Sequence, residues 1–165
     1  MSVNHSTIER TLTLRVLVVD DDHDCADSTG ELLRCWGCVV RVAYEGEDGL
    51  AAAAVFRPDV ILLDLAMPRL SGYECVRSLY AQGGPRTVVF AITGYGDEAH
   101  RTQALFAGFD EYLVKPVDPQ ELLRLLRLEQ TMKAKVGEGV VARNWTLETE
   151  TSAASENCVS NVCVR

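Results

Sequence analysis

The chain has 165 residues, 47% apolar and 24% charged, the balance of an ordinary globular protein with one packed domain and extensions. Its net charge is −8 and no basic cluster stands out, which argues against direct nucleic-acid binding and suits divalent cations or basic partner surfaces. The first residues lack an apolar run and no stretch nears the roughly 18 apolar residues of a membrane span, so a cytoplasmic protein with reduced cysteines is expected.

Residues 1–13 read as a flexible leader. From Leu14 to about Leu128, short Val/Ile/Leu runs alternate five times with amphipathic stretches. The runs show little alternation, as strands buried on both faces do. They are expected near Arg15–Val19, Val39–Ala43, Val60–Leu63, Val88–Ile92 and Glu111–Val114. Their ends at Asp20, Ala43, Asp64, Ile92 and Val114 recur at the spacing of a strand–helix unit, so a parallel sheet with right-handed crossovers is predicted.

The first helix is predicted over Asp24–Trp36, stopped by Gly37, with Ala26, Leu32, Leu33 and Trp36 on one face. The second runs near Glu47–Phe56 and ends before Pro58. The third covers Gly72–Ala81, broken by Gly83-Gly84-Pro85. The fourth covers Asp97–Ala107 and ends at Gly108. The fifth starts with Asp118 as N-cap, Pro119 first in the helix and Glu121 three residues after the cap, and its leucines 122, 123, 125 and 126 pack it on the sheet. From Glu129 to Arg165 the pattern collapses into a Ser/Thr/Glu-rich tail. It is expected to be mostly disordered, with room for a short helix past Leu128.

Parallel strands place their carboxyl ends on one edge, where ligands bind. That edge would gather Asp20-Asp21-Asp22, Asp64, Thr93 and Lys115. Crowded carboxylates repel one another, so the cluster calls for a divalent cation. A cation beside a carboxylate, a lysine and a threonine is equipment for handling a phosphoryl group.

Other motifs carry less. Cys35-Trp36-Gly37-Cys38 has redox spacing but lies at a helix end, where the dipole raises rather than lowers a thiol pKa. Cys158 and Cys163 lack the second pair a zinc site needs. Asn144-Trp145-Thr146 is a sequon without consequence in the cytoplasm. His5, His23 and His100 read as leader or surface residues, because the chain has no helical bundle to present a phosphotransfer histidine.

Four motifs occur in order, each at a predicted strand end. They are Val16-Leu17-Val18-Val19-Asp20-Asp21-Asp22, Leu62-Leu63-Asp64-Leu65-Ala66-Met67-Pro68 with Gly72, Ala91-Ile92-Thr93-Gly94, and Tyr112-Leu113-Val114-Lys115-Pro116. Together they resemble a response-regulator receiver domain over roughly residues 14–128. The resemblance implies a doubly wound, flavodoxin-like five-stranded sheet of order 2-1-3-4-5. It makes Asp64 the phosphoacceptor and implies Mg²⁺, with Mn²⁺ a possible substitute. The metal would bind to Asp21, Asp64, the Ala66 carbonyl and, through water, Asp20. Asp22 is read as a helix cap or a solvated residue.

By the same resemblance, Lys115 pairs with Asp64 at rest and with a phosphoryl oxygen afterwards, and the Lys115–Pro116 bond is cis. Thr93 donates its hydroxyl to the phosphoryl group, and Tyr112 is the switch aromatic that turns inward when Thr93 moves. Tyr95 sits where family members vary and receives no firm role. A sensor histidine kinase or a histidine phosphotransfer protein is the implied donor. The output is a downstream protein docking on the helix 4–strand 5–helix 5 face, without nucleic-acid or membrane contact.

Two rivals stand beside this reading. Haloacid-dehalogenase-type phosphatases also use a strand-end Asp-x-Asp, but Asp24 departs from their pattern and the core is short. Asp22-His23-Asp24 and Leu113-Val114-Lys115-Pro116-Val117-Asp118-Pro119 resemble receivers of hybrid kinases. With Met1 just ahead of the first strand and no kinase core or output domain in the sequence, a stand-alone receiver or phosphate shuttle is expected, a phosphoacceptor rather than an enzyme.

Overall fold

Five β-branched and leucine-rich runs form strands and the amphipathic stretches between them form helices. The computed structural model describes residues 11–81, 83 and 87–137. The order is β1 (Arg15–Val19), α1 (His23–Cys35), β2 (Val39–Ala43), α2 (Gly46–Phe56), β3 (Val60–Asp64), α3 (Gly72–Ala81), β4 (Val88–Thr93), α4 (Glu98–Ala107), β5 (Glu111–Val114) and α5 (Pro119–Gly137). Every strand pair is parallel, and the sheet order is β2-β1-β3-β4-β5. No described helix is long and apolar enough to cross a membrane.

The side-chain alternation of β1 explains the two cores. Val16 and Val18 join α1 and α5 residues Ala26, Leu33, Leu122, Leu125 and Leu126 on one face. Leu17 and Val19 join Cys75, Val76 and Ala104 of α3 and α4 on the other. Central β3 is buried along its whole length, whereas edge strand β2 shows partial exposure. Strands covered on both faces read as continuous apolar runs, and an edge strand does not.

The helix ends follow their local chemistry. Asp22 caps α1, accepting from the Cys25 N–H, and Asp97 caps α4, accepting from the His100 N–H. Gly108 ends α4 at φ 109°. The second helix stops at Phe56, as the proline at 58 requires, and Arg57 closes it in the left-handed region at φ 49°. Asp118 Oδ1 accepts from the Gln120 N–H at the start of α5. The Glu121 carboxylate forms a two-pronged pair with Arg124.

Two expected boundaries move. Leu12, placed in the leader by its polar surroundings, is buried, and its N–H donates to the Trp36 carbonyl. The ordered domain therefore begins before residue 14, because Leu12 and Leu14 both enter the core of the α1/α5 face. At the other end α5 continues nine residues past Leu128. Gln130 accepts from the Thr13 N–H, and Lys133 pairs with Asp59, 2.8 Å away. The rest of the leader, Gly84-Pro85, the sequon and Cys158 and Cys163 lie outside the described residues.

Candidate functional site

The sheet edge at the strand carboxyl ends brings together the expected residues. Asp20 follows β1 and Asp64 ends β3, and these two carboxylates are only 5% and 6% exposed. Asp21 points into solvent, yet carboxylate oxygens of Asp20, Asp21 and Asp64 all lie within 4.8 Å of one another. Asp20 Oδ1 accepts from the Asp22 N–H and Asp64 Oδ1 accepts from the Ala66 N–H. The second oxygen of each turns to Lys115, whose ammonium lies 2.8 Å from Asp20 and 3.2 Å from Asp64. Lys115 was expected on Asp64 alone; it bridges both.

This arrangement is short of positive charge. Three carboxylates face one ammonium, so the cluster retains capacity for a cation. Burial raises the Asp20 pKa, and the Lys115 contact and the Asp22 N–H do not fully offset it. Burial works against the charged Lys115 as well. Its bonds and charges to Asp20 and Asp64 outweigh that, and its pKa rises. The ammonium therefore stays charged throughout the neutral range.

Gly72 explains why this position in the motif has no side chain. A Cβ there would lie 2.4 Å from the Asp64 carbonyl oxygen and 2.9 Å from the Leu65 Cα. The first turn of α3 is thus packed directly on the backbone that holds Asp64. The Gly72 N–H also donates to the Leu65 carbonyl.

Thr93 ends β4, fully buried, and its Oγ1 accepts from the Tyr95 N–H at 3.2 Å. The Lys115 N–H donates to the Thr93 carbonyl, and the Lys115–Pro116 peptide is cis, as the resemblance implies. Tyr112 on β5 is buried, and its hydroxyl donates to the Tyr95 carbonyl. Burial, with Tyr73 and Asp97 nearby, raises its pKa against the pull of Thr93 and Arg101.

Asp22 takes the capping role expected of it, and the Cys25 N–H lowers its pKa. The region also contains residues that sequence reading left without roles. Tyr95 links Thr93 to Tyr112 through its backbone and stacks its exposed ring on His100 at 4.8 Å. Its position between Gly94 and Gly96, two residues after Thr93, was the available signal. His100 in turn contacts the Asp97 carboxylate at 2.6 Å. His23 is exposed, as expected, and stacks on Tyr44 at 3.9 Å. Cys35 is exposed while Cys38 is buried, and burial pushes the Cys38 thiol up to about 11. That pairing suits no redox pair with an activated thiolate.

Comparisons with known proteins agree with this geometry. The family model of the response regulator receiver domain matches residues 16–127. An uncharacterised 14.6 kDa protein of Leptolyngbya boryana is 38% identical over 113 residues, covering 68% of this chain and 86% of that protein. Response regulator MprA of Mycobacterium ulcerans is 37% identical over 116 residues, 70% of this chain and 50% of its own length. The chain thus spans about half the length of the MprA relatives it matches. Among solved structures, chemotaxis protein CheY4 of Vibrio cholerae superposes with a TM-score of 0.66 at 30% identity, over 70% of this chain and 98% of that one. The receiver domain of Francisella response regulator 1452 gives 0.69 at 27% identity, over 73% and 99%. With its sheet order, its acidic cluster and the span of the family match, the chain belongs to the response regulator receiver domains of two-component signalling.

Proposed function

We propose that Asp64 accepts a phosphoryl group from a phosphohistidine on a sensor kinase or phosphotransfer protein, and that the resulting change is read by a partner protein. The observation that carries this is the single ammonium of Lys115 spanning two buried carboxylates, with a third carboxylate, Asp21, beside them. One carboxylate oxygen per buried Asp is already committed to a backbone N–H, so the site is fixed before any ligand arrives.

The donor set fits a hard divalent cation such as Mg²⁺ or Mn²⁺. Asp21, Asp64 and the exposed backbone of Ala66 would hold it, with Asp20 acting through water. When bound, the ion neutralises charge on the transferring phosphoryl oxygens. Asp64 supplies the attacking oxygen; the P–N bond of the phosphohistidine breaks and an acyl phosphate forms. Lys115 pairs with a phosphoryl oxygen as a point charge. Thr93 donates its hydroxyl hydrogen to another phosphoryl oxygen, and its oxygen can still accept from the Tyr95 N–H. The output face of α4, β5 and α5 exposes Leu105, Phe106 and Val114, which suits docking of an apolar-faced partner or onward transfer in a relay. The phosphatase alternative is weaker. Its third motif position, Asp24, is an exposed first-turn residue of α1 rather than part of the cluster.

The test is incubation of wild-type and Asp64→Asn protein with acetyl phosphate or phosphoramidate, with and without Mg²⁺, followed by intact mass. One added phosphate is expected in the wild type with metal and in no other condition. Phosphate retained in Asp64→Asn would remove Asp64 as acceptor, and multiple turnover of a small phosphomonoester would favour the phosphatase.

A further inference from the structure

Among the described residues, two that are not glycine have a left-handed backbone. Arg57 is one, and it closes α2. The other is Arg69, at φ 66°, in the loop that leads from Asp64 to α3. The Leu70 N–H donates to the Pro68 carbonyl at 2.8 Å, so Arg69 is the centre of a three-residue turn. Such a turn with positive φ at its centre is rare and strained, and strain of this kind persists only where the surroundings hold it.

The surroundings are the corner between β2 and α2. The Arg69 guanidinium pairs with the Glu45 carboxylate. Glu45 is the N-cap residue of α2, yet its side chain makes no capping bond and is given to Arg69 instead. The next residue on each side repeats the contact. A Cβ on Gly46 would lie 2.9 Å from the Leu70 carbonyl oxygen and 2.7 Å from the Cys75 sulfur, so the corner is seated directly on the turn.

The loop is thus pinned at two places. At its neck the Gly72 N–H donates to the Leu65 carbonyl. At its tip Arg69 and Leu70 rest on Glu45 and Gly46. Between the pins lie Met67, which is buried, and Ala66, which is exposed. Ala66 is the residue whose backbone is proposed to join Asp21 and Asp64 in holding the cation. Neither Glu45 nor Arg69 belongs to that donor set. We infer that the Glu45–Arg69 pair is a positioning device for the cation site: by holding the strained turn, it keeps the Ala66 backbone where a divalent ion needs it. The inference rests on the assignment of Ala66 to the donor set. Mg²⁺ demands near-octahedral geometry, so displacement of one ligand oxygen is felt as lost affinity.

The experiment measures Mg²⁺ affinity of the full chain by titration followed by ¹⁵N NMR at constant ionic strength. The proteins compared are the wild type, Arg69→Gln, Glu45→Gln, the double variant and Arg69→Lys. Charge alone and positioning predict opposite signs at Arg69. Loss of a positive charge from this acidic edge would by its field raise the affinity for a cation, whereas loss of the clamp lowers it. Arg69→Gln and Glu45→Gln should each weaken Mg²⁺ binding about threefold, the scale of an exposed ion pair. The double variant should bind no more weakly than either single one, and Arg69→Lys, which keeps the pair, should retain most of the wild-type affinity. Tighter binding in Arg69→Gln, or no change in either single variant, overturns the inference. Losses that add in the double variant overturn the pair as the acting unit. A wild-type chain in which Mg²⁺ shifts the Asp21 and Asp64 signals but not those of Ala66 and Met67 fails the assignment of Ala66, and the inference falls with it; one that shows no response at all fails the cation site itself.

Discussion

Substituting Gly72 with alanine tests how tightly α3 and the acceptor strand are joined. The added methyl would lie 2.4 Å from the Asp64 carbonyl oxygen, 2.9 Å from the Leu65 Cα and 3.1 Å from the Asp64 carbonyl carbon. All three are backbone atoms, and none can swing aside as a side-chain tip could. Relief requires α3 to lift away from β3, or the Asp64 peptide to rotate. Overpacking of this kind costs about 1–3 kcal/mol, at the upper end where the neighbour is rigid. Alanine returns somewhat less than about 1 kcal/mol through its better helix propensity, since the position is the first of the helix. The net expectation is a loss of about 2 kcal/mol.

Urea unfolding of the wild type, Gly72→Ala and Gly94→Ala provides the measurement. Gly94 is the control, because a Cβ there meets nothing within 4 Å and its φ lies outside the left-handed region; its unfolding free energy should stay within about 0.5 kcal/mol of wild type. Gly72→Ala should also slow phosphorylation by acetyl phosphate by about tenfold or more, since an ångström-scale displacement of a reacting group is costly. An unchanged unfolding midpoint for Gly72→Ala would refute the reasoning, because no flexible atom is available to absorb the methyl.

Other expectations follow from separate features. Leu12→Ala should cost about 2–4 kcal/mol in urea unfolding, since Leu12 is a core residue; a cost under about 0.5 kcal/mol would return Leu12 to the leader. The Asp97 pKa is lowered by the His100 N–H and ring, so its capping contribution is fully present above the ordinary carboxylate value and is lost as pH falls through the lower folded value. The stability gap between wild type and Asp97→Asn should therefore close in acid, and a gap constant from pH 6 to pH 2.5 would contradict the cap. In native protein, iodoacetamide should modify Cys25 and Cys35 well before Cys38 and Cys75, whose thiols burial holds up at about 11; peptide mapping that finds Cys38 first would show a different packing around β2.

Much of this protein was legible because its information is local. Most of β1, β3 and β4 is one unbroken apolar run (Val16–Val19, Val60–Leu63 and Val88–Ile92), as suits strands covered on both faces. Pro58, Gly37 and Gly108 stop helices through backbone constraints that act within a few residues. The acidic edge followed from topology alone: a parallel sheet must put Asp20, Asp64, Thr93 and Lys115 on one side. What was not legible depends on contacts between distant residues. The sequence leaves room for a short helix past Leu128 but has no apolar period to set its length; α5 runs to Gly137, with Thr13 bonded to Gln130 and Lys133 to Asp59, pairs separated by 117 and 74 residues. Leu12 reads as leader because its neighbours are polar, yet its side chain enters the core and its N–H donates to the Trp36 carbonyl.

The same distinction separates the acidic cluster from the switch. Residue types suffice to identify the cluster, because three carboxylates and a lysine at one edge impose their chemistry whatever the rotamers. The placement of Tyr112 depends on rotamers and on residues far along the chain: its ring is buried in the cluster that holds Cys75, Val76 and Ala104, and its hydroxyl donates to the Tyr95 carbonyl, a contact across 17 positions that no local pattern announces.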